Sequence, residues 1–70
     1  MILYFENSNR ERRVIANPEN EQEAINEINK FCEERNFKVY YIRSWRNKDG
    51  LKIFDCGSYT EFFLLDDGKN

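Results

Sequence analysis

The stretch "NPENEQEAINEINKFCEERN" (residues 17–36) decides the fold class, because its apolar residues recur at the spacing of an amphipathic helix. We predict a helix over residues 18–35. Asn17 is a suitable N-cap, and Pro18 suits the first helical position. Asn36 suits the position just after the helix, where a left-handed backbone is common. The apolar positions that would face a core are Ala24, Ile25, Ile28, Phe31 and Cys32.

The segments on either side of this helix have the composition of β-strands, with β-branched and aromatic residues between turn-forming ones. Two strands joined by the turn "NSN" precede the helix, and three follow it. The predicted strands cover residues 2–6, 10–16, 37–46, 51–56 and 59–66. The order β-β-α-β-β-β predicts an α+β fold over residues 1–70, a single domain in which one helix packs on one face of a mostly antiparallel sheet.

A single helix is too narrow to cover both faces of such a sheet, yet the predicted strands carry apolar residues on both. Because side chains alternate along a strand, Arg43 and Trp45 share one face of their strand, as Phe62 and Leu64 do on theirs. The uncovered face should present aromatic side chains with arginine and lysine among them, which is typical of an interface. The alternative is that long basic side chains and the hairpin of residues 1–16 shield these rings.

The net charge of −2 is unevenly distributed along the sequence. Residues 18–36 hold six acidic and two basic side chains, a net charge of −4, whereas the remainder holds seven acidic and nine basic, a net charge of +2. This polarity either orients a charged ligand or only keeps the surface solvated. An acidic chain whose one helix is negatively charged is not expected to read duplex DNA.

The sequence predicts a cytoplasmic protein without a membrane partner. The start "MILYFENSN" lacks the basic region of a signal peptide, and no apolar run approaches the roughly 20 residues of a membrane span. Cys32 and Cys56 are the two cysteines. In a reducing compartment such residues are usually small buried hydrophobes, and a disulfide between them is the alternative.

The residue types on which many enzymes depend are missing from the sequence. There is no histidine for a catalytic triad or a zinc site, and no glycine-rich phosphate loop. Asp55 and Glu61 could pair as acid and base, but a domain this small has little room for a closed pocket. We therefore expect no enzymatic activity, no metal and no cofactor.

A binding role has better support from the sequence. Arg43 and Trp45 place a guanidinium and an indole on one strand face, suited to stacking on a base or on a partner's side chain. Arg46, Lys48 and Lys52 lie close by in the sequence and could hold phosphate. The structural alternative for Arg43 is a salt bridge to Asp55 or Glu61, with Trp45 covering the edge of the core. The candidate partner- or ligand-binding residues are Arg43, Trp45, Arg46, Lys48, Asp55, Ser58 and Glu61.

The pattern R-x-W followed by D-x-G-S-x-T-E-F-F resembles small proteins encoded by phages and prophages of Firmicutes. The matching residues are Arg43, Trp45, Asp55, Gly57, Ser58, Thr60, Glu61, Phe62 and Phe63. The resemblance extends over most of the chain, and Cys56 and Tyr59 depart from the commoner pattern.

This resemblance implies a setting in the cytoplasm of a bacterial host and action by stoichiometric binding. The leading hypothesis is an inhibitor of a bacterial immune system, such as an anti-CRISPR or other anti-defence protein, whose partner is a host defence protein. A second hypothesis is a sponge that sequesters a signalling cyclic nucleotide, with a homodimer as its binding form. A third is a module that binds single-stranded nucleic acid, whose affinity would fall steeply with salt.

Overall fold

A computed structural model describes residues 1–39 and 41–68 of the chain. The elements are β1 (Ile2–Glu6), β2 (Arg12–Ala16), α1 (Glu21–Glu34), β3 (Arg43–Arg46), β4 (Lys52–Asp55) and β5 (Phe62–Asp66). The strands form one sheet in the order β2-β1-β5-β4-β3, and every neighbouring pair is antiparallel. The predicted α+β fold, with one helix packed against an antiparallel sheet, is confirmed.

The core lies between α1 and one face of the sheet, because apolar side chains from both pack there. The helix contributes Ala24, Ile28 and Cys32. The sheet contributes Leu3, Phe5, Phe54, Phe63 and Leu65, all less than a tenth exposed. The rings of Phe5, Phe31 and Phe63 contact one another with centroid distances of 4.8, 5.5 and 5.6 Å. The opposite face of the sheet is not covered by α1, and we call it the helix-free face.

The helix begins three residues later than the sequence pattern predicts. Asn20, not Asn17, is the N-cap: its backbone is extended, and its side-chain oxygen accepts a hydrogen bond from the Glu23 N–H at 2.9 Å. The prediction of a first helical residue at Pro18 is therefore wrong. The end of α1 agrees better, since Asn36 has the expected left-handed conformation with φ +56°. The amide of Phe37 then donates to the Cys32 carbonyl, closing the helix.

The strand predicted over residues 37–46 is present only at Arg43–Arg46; Tyr40 lies outside the described residues. The antiparallel register explains the shortening. Arg43 pairs with Asp55, so an extension would pair Tyr41 with Gly57. Gly57 has φ +102°, which turns the backbone away from the ladder.

β2 and β5 also begin later than predicted, because side-chain oxygens accept hydrogen bonds from the backbone N–H groups that precede them. Ser58 Oγ accepts from the amides of Thr60 and Glu61, so the strand predicted over residues 59–66 begins at Phe62. Asn7 Oδ1 similarly accepts from the amides of Asn9 and Glu11, and the strand predicted over residues 10–16 begins at Arg12. Among the described residues, no helix has the length and apolar character that crossing a membrane requires.

Candidate functional site

The helix-free face carries a row of apolar side chains that crosses all five strands. Tyr4 pairs with Val14 on one side and with Leu64 on the other; Leu64 pairs with Ile53, and Ile53 with Trp45. Directly paired residues in a sheet point to the same face, so these five side chains line up across it. We call this set the transverse row: Val14, Tyr4, Leu64, Ile53 and Trp45.

The transverse row is buried at its centre and exposed at both ends. Leu64 and Ile53 are 1% and 8% exposed although no helix covers them. Val14 and Trp45, on the two edge strands, are 54% and 45% exposed. The Trp45 ring meets Phe62 edge to face, with a centroid distance of 6.4 Å. Neighbouring side chains thus shield the middle of the row, while its ends present large apolar surfaces to solvent.

Two ion pairs stand beside the transverse row, one at each edge of the sheet. The Arg12 Nε donates to Glu6 Oε1 at 2.9 Å, and the Arg43 Nη2 donates to Asp55 Oδ2 at 2.8 Å. Phe62 pairs directly with Glu6 and lies between the two edges. The helix-free face therefore combines apolar groups with two arginines, Arg12 and Arg43, that are each matched by a carboxylate.

Side chains from both edge strands line one cleft on this face, with a volume of about 160 Å³. β2 and β3 are at opposite ends of the strand order, so the sheet must curl to bring Arg12 and Trp45 to the same cleft. The lining residues are Glu6, Arg10, Arg12, Trp45, Asn47, Ile53, Phe62 and Leu64. The helix-free face is consequently concave, which suits a protruding part of a partner.

The Asp55 carboxylate is the most constrained charge on the helix-free face. Burial of this side chain raises its pKa, but the hydrogen bonds from Arg43 and from the Gly57 N–H outweigh burial and leave the pKa below its usual range. In turn, the hydrogen bond to Asp55 raises the pKa of Arg43. The predicted alternative for Arg43, a salt bridge to Asp55, is thus present, and Arg43 still leaves 67% of its side chain exposed.

The structure divides the predicted site residues between several places. Arg43, Trp45 and Asp55 lie together on the helix-free face. Arg46 is on the other face, where its guanidinium binds the Asp67 carboxylate and the Gly50 carbonyl. Lys48 is exposed in the turn between β3 and β4.

Ser58 and Glu61 belong to a second cavity, of about 130 Å³, at the end of α1 on the helix-covered side. Glu61 forms an ion pair with Arg35 at 3.5 Å, and the Arg35 guanidinium lies over the rings of Phe5 and Phe31. Asp55 and Glu61 therefore do not form a carboxylate pair, because each is held by a different arginine on a different face. The lining residues are Phe5, Phe31, Cys32, Arg35, Asn36, Phe37, Cys56, Ser58, Glu61 and Phe63.

The sequence interpretation missed the part of the helix-free face that comes from the first hairpin. It considered residues 1–16 only as a shield in the alternative interpretation, whereas Tyr4 and Val14 continue the transverse row, and Glu6 and Arg12 form an ion pair beside it. Side chains alternate between the two faces of β1, with Leu3 and Phe5 on the core face and Ile2, Tyr4 and Glu6 on the other. This alternation is visible in the sequence. The pairing of β1 with β5, which places this alternation in register, has no local signal.

Comparison with models of known protein families, with characterised proteins and with solved structures gave no match. Within residues 1–39 and 41–68, no group of three or more histidine, cysteine, aspartate or glutamate side chains could hold a metal ion. The function is therefore inferred from the geometry of the surface and from the residue pattern of the sequence.

Proposed function

We propose that this protein acts by binding a protein partner stoichiometrically through the helix-free face, without catalysis. The observation that carries the proposal is the transverse row, whose ends, Trp45 and Val14, are large exposed apolar side chains, with Trp45 lining a cleft of mixed apolar and charged residues. An exposed apolar surface of this kind costs solvation free energy in the isolated molecule, and a partner relieves that cost.

The charges on the helix-free face favour a protein over a phosphate-bearing ligand. Arg12 and Arg43 are each paired with a carboxylate at less than 3 Å, so neither offers an unbalanced positive charge to a phosphate. Protein interfaces, by contrast, are enriched in tryptophan, tyrosine and arginine around an apolar centre with a polar rim. Trp45 is the exposed aromatic side chain of this face and therefore the one best placed to make the main contact with a partner.

The partner in this proposal is a component of a bacterial defence system, such as a CRISPR effector, and the protein is an anti-defence inhibitor. The support is the resemblance to phage and prophage proteins together with the position of the pattern residues. Arg43, Trp45, Asp55 and Phe62 all belong to that pattern, and all four lie on the helix-free face. Such an inhibitor would act in the cytoplasm of the host bacterium.

The proposal is tested by capture from a Firmicutes lysate with matched variants as bait. We expect wild-type bait to retain a defence component, and Trp45→Ala to retain at least about ten-fold less of it, since tryptophans are enriched among the residues that dominate interface energies. Asn29→Ala, on the exposed side of α1, should retain as much as wild type. Because Trp45 is about half exposed, its removal should change the free energy of unfolding by no more than about 1 kcal/mol, which urea titration verifies.

Two outcomes would overturn the proposal. One is that folded Trp45→Ala bait retains the same protein to the same extent as wild type. The other is that folded wild-type bait retains nothing beyond what an unrelated bait of similar charge retains.

The two nucleotide hypotheses have a separate test. Calorimetry against a panel of cyclic nucleotides, and against single-stranded oligonucleotides at low salt, should give no heat of binding, because the arginines of the helix-free face are already paired. A saturating heat that disappears in Arg43→Ala would instead favour the nucleotide sponge and reject protein binding as the primary role.

A further inference from the structure

The two cysteines meet in the core although they are far apart in the sequence. Cys32 lies in the last turns of α1, and Cys56 directly follows β4. Both thiols are free and buried, and the two side chains are near enough for each to influence the pKa of the other. Two free cysteines in the same core cluster, one on the helix and one just after a strand, are placed to form a covalent link between these layers.

A cavity gives small molecules access to this pair. Cys32 and Cys56 both line the cavity of about 130 Å³ at the end of α1, whose wall includes the half-exposed Arg35. This volume is several times the roughly 30 Å³ that one water occupies in the liquid, so a molecule as small as hydrogen peroxide fits. Neither thiol is exposed enough to meet a protein oxidant directly.

We propose that Cys32 and Cys56 are a redox modification site that closes to an intramolecular disulfide with hydrogen peroxide, Cys32 attacking first and Cys56 resolving. This site is separate from the helix-free face and does not rest on the proposed function.

The reaction balances with peroxide as the two-electron oxidant. The Cys32 thiolate attacks one peroxide oxygen, the O–O bond breaks, and the released hydroxide takes the proton that Cys32 has lost, giving a sulfenic acid and one water. The Cys56 sulfur then attacks the sulfenic sulfur, the S–O bond breaks, and the departing hydroxide takes the Cys56 proton as a second water. Two thiols are oxidised to one disulfide, and one peroxide is reduced to two waters.

The surroundings of the two thiols favour Cys32 as the nucleophile. The pKa of Cys32 is raised, chiefly by burial and further by the Glu61 charge, while the nearby Arg35 charge and the Cys56 side chain act in the opposite direction and limit the rise. Burial and the neighbouring Cys32 and Asp55 raise the pKa of Cys56 to about 12. Cys32 is thus the more readily ionised of the two, and the reaction should be slow compared with that of an exposed thiolate.

The test uses the purified full chain, hydrogen peroxide and intact-mass spectrometry without reductant. We expect the wild-type monomer to lose the mass of two hydrogen atoms, with a Cys32–Cys56 cross-link in the peptide map. With dimedone present, Cys56→Ser should gain an adduct on Cys32, whereas Cys32→Ser should gain none.

The peptide map of the wild type needs no substitution, so it tests for the Cys32–Cys56 disulfide even if a serine variant fails to fold. A disulfide between two molecules, sulfinic acid in the wild type without a cross-link, or complete resistance to peroxide would overturn the proposal. A dimedone adduct on Cys56 in Cys32→Ser that forms as fast as the adduct on Cys32 in Cys56→Ser would overturn the assigned order of attack.

Discussion

At the scale of single residues, the run from Asp55 to Ser58 at the end of β4 is explained by backbone chemistry. Asp55 accepts from the Gly57 N–H, Gly57 takes a positive φ, and Ser58 accepts from the next two free amides. Glycine and serine favour bends, so Gly57 and Ser58 have a local signal, whereas Asp55 falls within the strand predicted over residues 51–56. The partner of Arg43 was predictable only as one of two carboxylates, Asp55 or Glu61, because the choice depends on the register of β3 against β4.

The pairing of Asp55 predicts a pH dependence of stability. Because the folded-state pKa of Asp55 is lowered, its contribution to stability is present above the usual value of 3.8 and is lost as pH falls through the folded pKa. Asp55→Asn should therefore be less stable than wild type near neutral pH, and the gap in the free energy of unfolding should shrink below about pH 3.8.

Urea titrations of both proteins at a series of pH values measure this gap. Asp49→Asn removes the same charge from an exposed turn residue and serves as the control, with a much smaller gap at every pH. A gap for Asp55→Asn that stays constant into strongly acidic solution would contradict the role assigned to the Arg43–Asp55 pair.

At the scale of elements, the helix was the clearest prediction, and its N-terminus was the error. The sequence offers two asparagines three residues apart, and the rule that proline favours the first helical position selects Asn17. Asn20 is the N-cap because two hydrogen bonds stabilise the helix start there. The Glu23 N–H donates to the Asn20 side chain, and the Glu23 carboxylate accepts a hydrogen bond from the Glu19 N–H. This reciprocal arrangement is a variant of the capping box.

The two asparagines give a matched pair of variants. Asn20→Ala should lower the free energy of unfolding by roughly 0.5–2 kcal/mol, because it removes the acceptor for a helix N–H. Asn17→Ala should change it by no more than about 0.5 kcal/mol, as expected of an exposed residue outside the helix. Urea denaturation followed by circular dichroism measures both, and a larger loss for Asn17→Ala would contradict the observed cap.

The strand ends were less predictable than the helix, for a physical reason. Composition identifies Phe37–Val39 and Tyr59 as strand formers, but a strand also needs an extended partner at the same register. Gly57 removes that partner for the residues before β3, and Ser58 occupies the amides before β5. Whether these segments form strands therefore depends on tertiary structure and on side-chain hydrogen bonds, neither of which is measured by strand propensity.

At the scale of the whole molecule, the sequence predicted that a single helix leaves one sheet face with aromatic, arginine and lysine side chains; aromatics and arginines lie there, whereas Lys52 lies on the covered face and binds Glu21 of the helix. What the sequence did not predict is the continuity of that face. The transverse row exists because β1 pairs with β5, which is nearly sixty residues away in sequence, and no local pattern specifies that pairing. The same pairing makes β1 a central strand instead of an edge.

The chain has one tryptophan, Trp45, and it lies on the helix-free face. A signal from this residue therefore shows directly whether that face binds the partner. Protein labelled with fluorotryptophan gives a single fluorine NMR resonance from Trp45. Addition of the purified partner at saturation should move this resonance and protect it from a soluble paramagnetic quencher, because binding buries the half-exposed ring. A saturated complex in which the resonance keeps its free position and its full sensitivity to the quencher would contradict the assignment of the helix-free face as the binding surface.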